Sequence, residues 1–463
     1  MAMLRERLVE ALGSDAVKTA PEDLAVYAFD AYTDGGLPSA VVLPSSTRDV
    51  SAIVKIARDC GEPIVARGAG TGLCGGAVPL EGGIVVSFAR MNRVIELDER
   101  NRRVRVQPGL INLALSREVA NLGLFYAPDP SSQQISTIGG NIATNAGGPH
   151  CLSYGTTINH VLGLEIVDAV GEVFETSIDA AGYDLTAAFV GSEGTLGIVT
   201  SAWVRLMALP ESVRVWVAAF DDIESASEAV SAIIAAGILP TALEMMDAVI
   251  THAVEAAFHA GYPTDAAAVL LIENAGFHED VEASESEIHA LVSANGARSW
   301  RSARTKAERD VLWAGRKSAA GATGRIAPNY YTQDVCVPRS RLPRALHAVG
   351  DAARENGITV GNVFHAGDGN LHPLLMYDKR DRKQVAAVIE TGNQILQSAI
   401  DLGGTISGEH GIGWEKREAM TRVYSTADLA VMARVRDVFD PIRMLNPEKI
   451  FPAGARCPEV IPS

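Results

Sequence analysis

The sequence predicts an α+β protein with an N-terminal domain of mixed strands and helices and a C-terminal α+β domain with an antiparallel sheet. Three observations support this prediction. The chain has 463 residues, more than one hydrophobic core normally serves. Short apolar runs alternate with amphipathic helical patterns along nearly the whole chain. Finally, Pro210 and Glu211 interrupt the alternation and mark a break between two halves.

The predicted elements follow in order. Residues 1–37 are predicted to be helical. In the first half, strands are predicted in AVVLPSS, EPIVARGAGTG, GGIVVSF and RVIELDERNRRVRVQPG, and helices in TRDVSAIVKIARDCG and NLALSREVANLG. In the second half, strands are predicted in VRVWVAAF, AAAVLLIENAG, VCVPRSRLPRALHAVGDAARENG and GITVGNVFHAGDGNLHPLLMY, and helices in IESASEAVSAIIAAG, VEASESEIHALVSANG and a long segment from Arg382.

The composition excludes several classes of protein. A net charge of −16 argues against a nucleic-acid partner, which needs a basic face. No apolar run is long enough for a transmembrane helix, and the charged N-terminus is not that of a signal peptide, so we expect a cytoplasmic protein. The cysteines never form a C-x-x-C pair, so neither a disulfide framework nor an iron–sulfur cluster is expected. They are Cys60, Cys74, Cys151, Cys336 and Cys457.

Glycine-rich loops in the first half predict close packing of backbone against a ligand. The first, ARGAGTGLCGG, lacks the Gly-Lys-Ser/Thr end of a Walker A loop, and by itself it is equally consistent with a surface turn. The second, STIGGNIATNAGG, adds side chains that can form hydrogen bonds, and the third, GSEGTLGIVT, passes into a β-branched strand. Three such loops in one domain favour a ligand with a pyrophosphate and a flat ring system.

Two histidines flank an Asp-Gly pair in NVFHAGDGNLHP. A two-residue hairpin turn at Asp368-Gly369 would place His365 directly opposite His372. Cross-strand partners have Cβ atoms about 5 Å apart, so both imidazoles can share one divalent ion.

The segment SGEHGIGWEKRE places Glu409 and His410 between glycines, which predicts a tight, exposed turn. With the two histidines, Glu409 completes a His₂–carboxylate set that suits Zn²⁺, Mn²⁺ or Fe²⁺ and leaves coordination positions open. Because histidine titrates near neutral pH, His410 is a candidate base.

The glycine loops, together with PDPSSQQISTIGGNIATNAGG and the Ser153–Gly155 segment SYG, resemble the FAD-binding domain of the vanillyl-alcohol oxidase / p-cresol methylhydroxylase superfamily. Within it, the sequence is most similar to the glycolate oxidase catalytic subunit and to FAD-linked D-lactate and D-2-hydroxyglutarate dehydrogenases. The resemblance implies a helical segment over 1–37, a two-part FAD-binding domain over 38–216, a substrate domain with the metal site over 217–420, and a helical tail over 421–463 that returns to the FAD domain.

The same resemblance implies roles for particular residues. The metal ligands are His365, His372 and Glu409, and the base is His410. The first glycine loop has no histidine for a covalent flavin bond, so non-covalent FAD is expected, although His150 lies near a position where some relatives attach the flavin. The implied pyrophosphate residues are Arg67, Gly68, Gly70 and Thr71; those lining the rest of FAD are Pro128, Thr137, Gly140, Asn141, Asn145, Ser153, Gly194 and Ile198, with Asn446 near the ring.

The implied reaction is oxidation of a small 2-hydroxy acid, glycolate or D-lactate, to the 2-oxo acid, with hydride transfer to flavin N5. The substrate carboxylate needs a guanidinium, for which Arg316 and Arg325 are candidates and the resemblance favours Arg316, with Tyr330 or Tyr331 assisting. For both arginines a salt bridge is the alternative. The residues Glu244–Asp247 are predicted to have only a packing role, because methionine pairs usually fill hydrophobic cores.

The resemblance also bears on partners. No NAD site is recognisable, so a different acceptor is expected, with a flavin-binding sister subunit and an iron–sulfur subunit as candidate partners that would bring the protein to the inner membrane. Three alternatives are open: a non-catalytic FAD-binding subunit, a dehydrogenase for a larger acid such as D-2-hydroxyglutarate, and a non-redox flavoenzyme. The first would lack the metal residues and the base, all of which are present here.

Overall fold

The computed structural model describes residues 2–31 and 35–453, so Cys457 lies outside the described residues. The α-helices are α1 (Ala2–Leu12), α2 (Pro21–Ala25), α3 (Thr47–Cys60), α4 (Asn112–Val119), α5 (Ile138–Thr144), α6 (Cys151–Tyr154), α7 (Leu185–Phe189), α8 (Ile223–Ala235), α9 (Ala248–Phe258), α10 (His278–Ala294), α11 (Lys306–Lys317), α12 (Ala319–Ala322), α13 (Leu342–Glu355), α14 (Arg382–Asp401), α15 (Met420–Val423) and α16 (Thr426–Phe439).

The β-strands are β1 (Val17–Lys18), β2 (Ala40–Val42), β3 (Ile64–Arg67), β4 (Ile84–Ser87), β5 (Val94–Asp98), β6 (Arg103–Val106), β7 (Leu124–Phe125), β8 (Val161–Val167), β9 (Val173–Ser177), β10 (Ile198–Arg205), β11 (Met207–Ala208), β12 (Ser212–Phe220), β13 (Ala242–Asp247), β14 (Ala268–Gly276), β15 (Ser299–Ala303), β16 (Asn329–Thr332), β17 (Val335–Cys336), β18 (Thr359–His365), β19 (Asn370–Leu371) and β20 (Pro373–Tyr377). None of the described helices is long and apolar enough to cross a membrane.

The chain divides into two compact units. The first unit holds residues 1–147, 155–209 and 409–463, and the second holds residues 148–154 and 210–408. The predicted boundary after residue 216 is wrong, because β12 spans that point and pairs along its length with β14 and β15. The break falls at Pro210, the position at which the alternation of strands and helices in the sequence is interrupted. The predicted boundary after residue 420 likewise moves to residue 408.

The first unit contains a small sheet in the order β1-β2-β4-β3 and a second sheet in the order β5-β6-β10-β8-β9. Strands β2, β4 and β3 run parallel, as expected when helix α3 connects two of them. Ser46 begins α3 by accepting from the Asp49 N–H, and the left-handed Gly61 ends it. The strands β2–β4 and helices α1 and α3 share one apolar core.

The N-terminal segment contains a β-strand as well as the predicted helical structure. Helix α1 buries Leu4 and Leu8 in the core of the first sheet. Strand β1 then pairs antiparallel with β2, with Val17 opposite Val42. The described residues of this segment, 2–31 and 35–37, therefore belong to the first unit.

The second unit is built on an antiparallel sheet in the order β15-β12-β14-β13-β18-β19-β17, with β20 pairing both β18 and β16. Helices α9, α11 and α12 contribute apolar side chains to the core on one face of this sheet. The capping box of Thr305 and Glu308 begins α11, and this helix carries Trp313 and Arg316 at an i, i+3 spacing that puts both on one side.

Candidate active site

A cavity of about 480 Å³, including open space at its mouth, lies in the first unit where the three glycine loops meet. Of the residues predicted to contact FAD, Arg67, Gly68, Thr137, Gly140, Gly194 and Ile198 line it. Others lie in the same unit outside this lining, namely Gly70, Thr71, Pro128, Asn141, Asn145 and Asn446. Ser153 lies on α6, in the second unit. The sequence had not singled out Ala66, Phe88, Pro108, Gly139, Ala143, Phe189, Ser192, Gly197 or Val199, which complete the lining.

Close packing around the cavity explains why glycine is needed at several positions of its lining. A Cβ added to Gly68 would lie 2.3 Å from Thr137 Oγ1, and one added to Gly139 would lie 2.5 Å from Pro108 Cβ. Thr137 also begins α5, because its hydroxyl accepts from the Gly140 N–H at 3.2 Å. Glycine is therefore required at both positions, because any side chain there would clash with the neighbouring segment of the protein.

Arg67 is the last residue of β3 and lies at the start of the first glycine loop. Its guanidinium donates to the Ala77 carbonyl at 3.2 Å and lies 5.6 Å from the centre of the Tyr27 ring. A Cβ at Gly70, whose φ is +70°, would meet the same guanidinium at 2.2 Å. Burial lowers the pKa of Arg67. Arg67 thus orders the loop itself, and its contact with a pyrophosphate stays a prediction.

The His410 turn is held by backbone contacts inside the first unit. The Glu193 carboxylate accepts from the Ile412 N–H at 2.8 Å and from the Gly413 N–H. The Cys74 thiol donates to the His410 carbonyl at 2.9 Å. Only 16% of the His410 side chain and 14% of the Glu409 side chain are exposed, so the predicted exposed turn is wrong. Burial raises the pKa of Glu193, and the two N–H donors oppose that rise.

The segment around Asn446 joins the same loops. Asn446 donates from Nδ2 to the carbonyls of Gly76 and Glu193, at 2.8 and 2.7 Å, while its own N–H pairs with Ile64 of β3. Lys449 is 1% exposed and donates to the Val78 carbonyl at 2.9 Å. Asn446 therefore supports the loops around the cavity, and its contact with a flavin ring remains a prediction.

The two histidines lie close together in the second unit, but the predicted hairpin is wrong. His365 pairs with Asn370, not His372, so residues 366–369 form a four-residue loop. The Asp368 carboxylate accepts from the Asn370 N–H, and Gly369 takes φ +80°. A shift of two residues keeps side chains on the same face, so His372 becomes a diagonal neighbour of His365. Their ring centres are 5.1 Å apart.

Glu244 contacts two of the predicted site residues. One carboxylate oxygen lies 2.8 Å from His365 Nδ1, and the other lies 2.5 Å from Arg316 Nη2. Glu244 and Arg316 are 1% and 4% exposed. The prediction that residues 244–247 only pack is therefore wrong for the acids: Met245 and Met246 are buried, but Asp247 begins α9 and accepts from Asn362. Arg325, the other candidate arginine, is exposed.

Asp334 is a further buried acid that the sequence did not single out. One carboxylate oxygen lies 3.4 Å from His372 Nε2. The other accepts from the Ser407 hydroxyl at 2.8 Å and from the Gly408 N–H at 3.0 Å. Glu409 is the next residue in the chain. Asp334 thus holds the segment that precedes Glu409 and His410.

A second acid on β14 has a similar set of partners. Glu273 accepts from His150 Nε2 at 3.0 Å and from the Trp313 indole N–H at 2.6 Å. The His150 and Trp313 ring centres are 5.2 Å apart. His150, which lies near a position where some relatives attach the flavin, therefore forms a hydrogen bond with a carboxylate of the second unit.

Comparison with known proteins assigns the family. A family model described as FAD binding domain matches residues 38–177, and one described as FAD linked oxidases, C-terminal domain, matches residues 209–450. The chain belongs to the FAD-linked oxidases. This FAD-linked oxidase is an oxidoreductase, and it carries the FAD-binding domain that the resemblance of its glycine loops implied.

Curated relatives cover nearly the whole FAD-linked oxidase. The glycolate oxidase subunit GlcD of Escherichia coli K12 is 44% identical, over 91% of this chain and 85% of the relative. GlcD of Bacillus subtilis is 42% identical over 98% and 97%. A probable mitochondrial D-lactate dehydrogenase of Danio rerio is 34% identical over 89% and 84%.

Solved structures confirm the predicted superfamily fold. A 4-ethylphenol oxidase from Gulosibacter chungangensis has a TM-score of 0.81 at 20% identity, covering 98% of both chains. A p-cresol methylhydroxylase has a TM-score of 0.82 at 16% identity, covering 96% of both. At these identities the likeness concerns the fold alone.

Proposed function

We propose that this FAD-linked oxidase oxidises a small 2-hydroxy acid, glycolate or D-lactate, to the 2-oxo acid. The observation that carries the proposal is the pair His365 and His372, with ring centres 5.1 Å apart and His365 bonded to a buried carboxylate. A non-catalytic FAD-binding subunit has no need for such a pair. The relatives supply the substrate class, since they are named as glycolate oxidase subunits and D-lactate dehydrogenases.

The donor set fits a divalent ion. Because His365 Nδ1–H donates to Glu244, its Nε2 is the nitrogen with the lone pair, as a metal ligand requires. His365, His372 and Glu409 would hold the ion, and Glu409 directly follows the backbone that Asp334 fixes. When bound, FAD supplies a two-electron acceptor, and the ion supplies a Lewis acid for the substrate hydroxyl.

The remaining roles fall to side chains of this protein. His410 accepts the hydroxyl proton at an imidazole nitrogen, and the Cys74 and Glu193 contacts fix the backbone of its turn. Arg316 binds the substrate carboxylate, because its guanidinium lies on the same Glu244 carboxylate as His365. Arg325 is exposed and better suited to a surface contact.

The choice between glycolate and D-lactate rests on the stronger likeness to the GlcD relatives, at 44% and 42% against 34% identity for the D-lactate dehydrogenase. We therefore place glycolate first. The two acids differ by one methyl group, which a pocket discriminates by about 10- to 200-fold.

Electrons leave through partner proteins in this proposal. The GlcD relatives are named as subunits, so a flavin-binding sister subunit and an iron–sulfur subunit are the proposed partners, with association at the inner membrane through that complex. The acceptor proposed for the complex is not NAD.

The visible absorption spectrum of the purified protein tests the proposal. Under anaerobic conditions, glycolate is added to one sample and D-lactate to another. Flavin bands that bleach with either acid support the reaction class, and the faster acid is the preferred substrate. Flavin bands that neither acid bleaches would overturn the proposed substrate class, with D-2-hydroxyglutarate as the next acid to add.

A further inference from the structure

Two buried acids on the sheet of the second unit each join a histidine to a side chain of α11. Glu244 on β13 joins His365 to Arg316, and Glu273 on β14 joins His150 to Trp313. The two sets differ in charge. Glu273 accepts a hydrogen bond from a neutral indole, whereas Glu244 forms an ion pair with a guanidinium that is itself only 4% exposed.

The charge arrangement around Glu244 is specific. Its side chain is fully buried, so water cannot stabilise its negative charge. The charge is stabilised instead by Arg316 at one oxygen and by the His365 N–H at the other. A cation arriving at His365 Nε2 would add positive charge to a site that already holds a guanidinium. The Glu244 carboxylate is the negative charge that contacts both groups.

We infer that Glu244 is a positioning residue that couples ion binding at His365 to recognition of the substrate carboxylate by Arg316. The inference rests on the proposed function. Glu244 orients the His365 ring and also balances the charge of Arg316, so a change at either partner alters the other. In this arrangement the ion and the Arg316 guanidinium share one buried negative charge.

Zn²⁺ affinity of the chelator-stripped, FAD-containing protein tests the inference without measuring turnover. Zn²⁺ is titrated against a chromophoric chelator for the wild type and for Glu244→Gln. The amide keeps the shape of the carboxylate but not its charge, and its NH₂ group faces either Arg316 or the His365 N–H. We expect a 10- to 100-fold loss of Zn²⁺ affinity, the usual effect of changing a group that orients a metal-binding histidine.

Glu273→Gln is the matched control. It makes the same substitution on the same sheet, beside a histidine that is not a proposed ligand. We expect its Zn²⁺ affinity to stay within about two-fold of the wild type. A loss equal to that of Glu244→Gln would overturn the inference, because it would show a general effect of weakening the sheet.

The variant pair Arg316→Met and Glu244→Gln/Arg316→Met tests the coupling. If Arg316 and the ion share the Glu244 charge, removing the guanidinium should raise Zn²⁺ affinity. We expect the double variant to bind Zn²⁺ at least ten-fold more tightly than Glu244→Gln. The double variant also avoids a buried, unpaired arginine, so it remains informative if Glu244→Gln alone does not fold. Equal Zn²⁺ affinities of Glu244→Gln and the double variant would contradict the shared charge.

The wild-type titration distinguishes failure of this inference from failure of the proposed metal site. A wild type that binds Zn²⁺, with a Glu244→Gln variant of equal affinity, overturns this inference and leaves the proposed function standing. A wild type that takes up no Zn²⁺ overturns the metal part of the proposed function, and the inference falls with it.

Discussion

Gly413 donates its backbone N–H to both carboxylate oxygens of Glu193, at 3.1 and 2.8 Å. Glu193 belongs to the third glycine loop, whose neighbours Ser192 and Gly194 line the cavity. Gly413 lies three residues after His410. One buried side chain thus connects the loop at the cavity to the turn that carries the proposed base.

Glu193→Gln should destabilise the protein by about 1–3 kcal/mol, because the amide turns one of its acceptors into a donor that faces backbone N–H groups. Urea unfolding of the FAD-loaded protein measures this change. Glu175→Gln is the control: that acid is 64% exposed at its ion pair with Arg105 and should change stability by less than about 0.5 kcal/mol. Equal stability of the two variants would exclude a role for Glu193 in holding the turn.

His410→Ala should retain FAD but slow flavin reduction by the substrate about 10²- to 10⁴-fold, the usual contribution of a general base. Stopped-flow absorbance under anaerobic conditions measures the rate. His252→Ala, at an exposed position of α9, should reduce at the wild-type rate. Reduction of His410→Ala at that same rate would remove His410 from the base role.

Gly68→Ala should lower the FAD content of the purified protein while leaving the fold in place. The new methyl would lie 2.3 Å from Thr137 Oγ1 at the cavity wall. Gly72→Ala is the control in the same loop, because its added Cβ meets only Asp30 Oδ2, at 3.9 Å. The ratio of flavin to protein absorbance reports the result, and equal ratios would show that the cavity is not the FAD site.

Lys449 predicts a pH dependence of stability. Burial lowers its pKa to about 8 from an ordinary 10.5, so between these values the unfolded chain binds more protons than the folded protein. Stability relative to Lys449→Met should therefore rise as pH increases from 8 to 10.5, by up to about 3 kcal/mol at 1.4 kcal/mol per pKa unit. Urea unfolding of both proteins across this range checks the difference. A constant difference would mean that burial does not lower the pKa of Lys449.

The parts of the fold predicted correctly are those with local causes. Helix α3 was predicted from its amphipathic pattern, and the glycine loops that meet at the cavity were also visible in the sequence. The hairpin register could not be predicted, because the side chain of Asp368 and the packing of Gly367 against Leu152 and Leu243 select a longer loop. Strand β1 was missed because two residues carry no recognisable period.

The buried acids of the site were missed for a different reason. Glu244 lies between apolar neighbours, so its sequence context indicated packing. Its partners Arg316 and His365 come from segments that only the fold brings together. The motif residues themselves were predictable, whereas the acids that orient them depend on tertiary contacts.

Leu445 forms a parallel bridge with Ile64, and the Asn446 N–H donates to the Ile64 carbonyl. These partners are separated by most of the chain, with the entire second unit between them in sequence. During synthesis, β3 therefore emerges from the ribosome long before the residues that cover its edge. Closing so large a loop makes folding slow. The edge of β3 therefore stays uncovered until Leu445 and Asn446 have been synthesised.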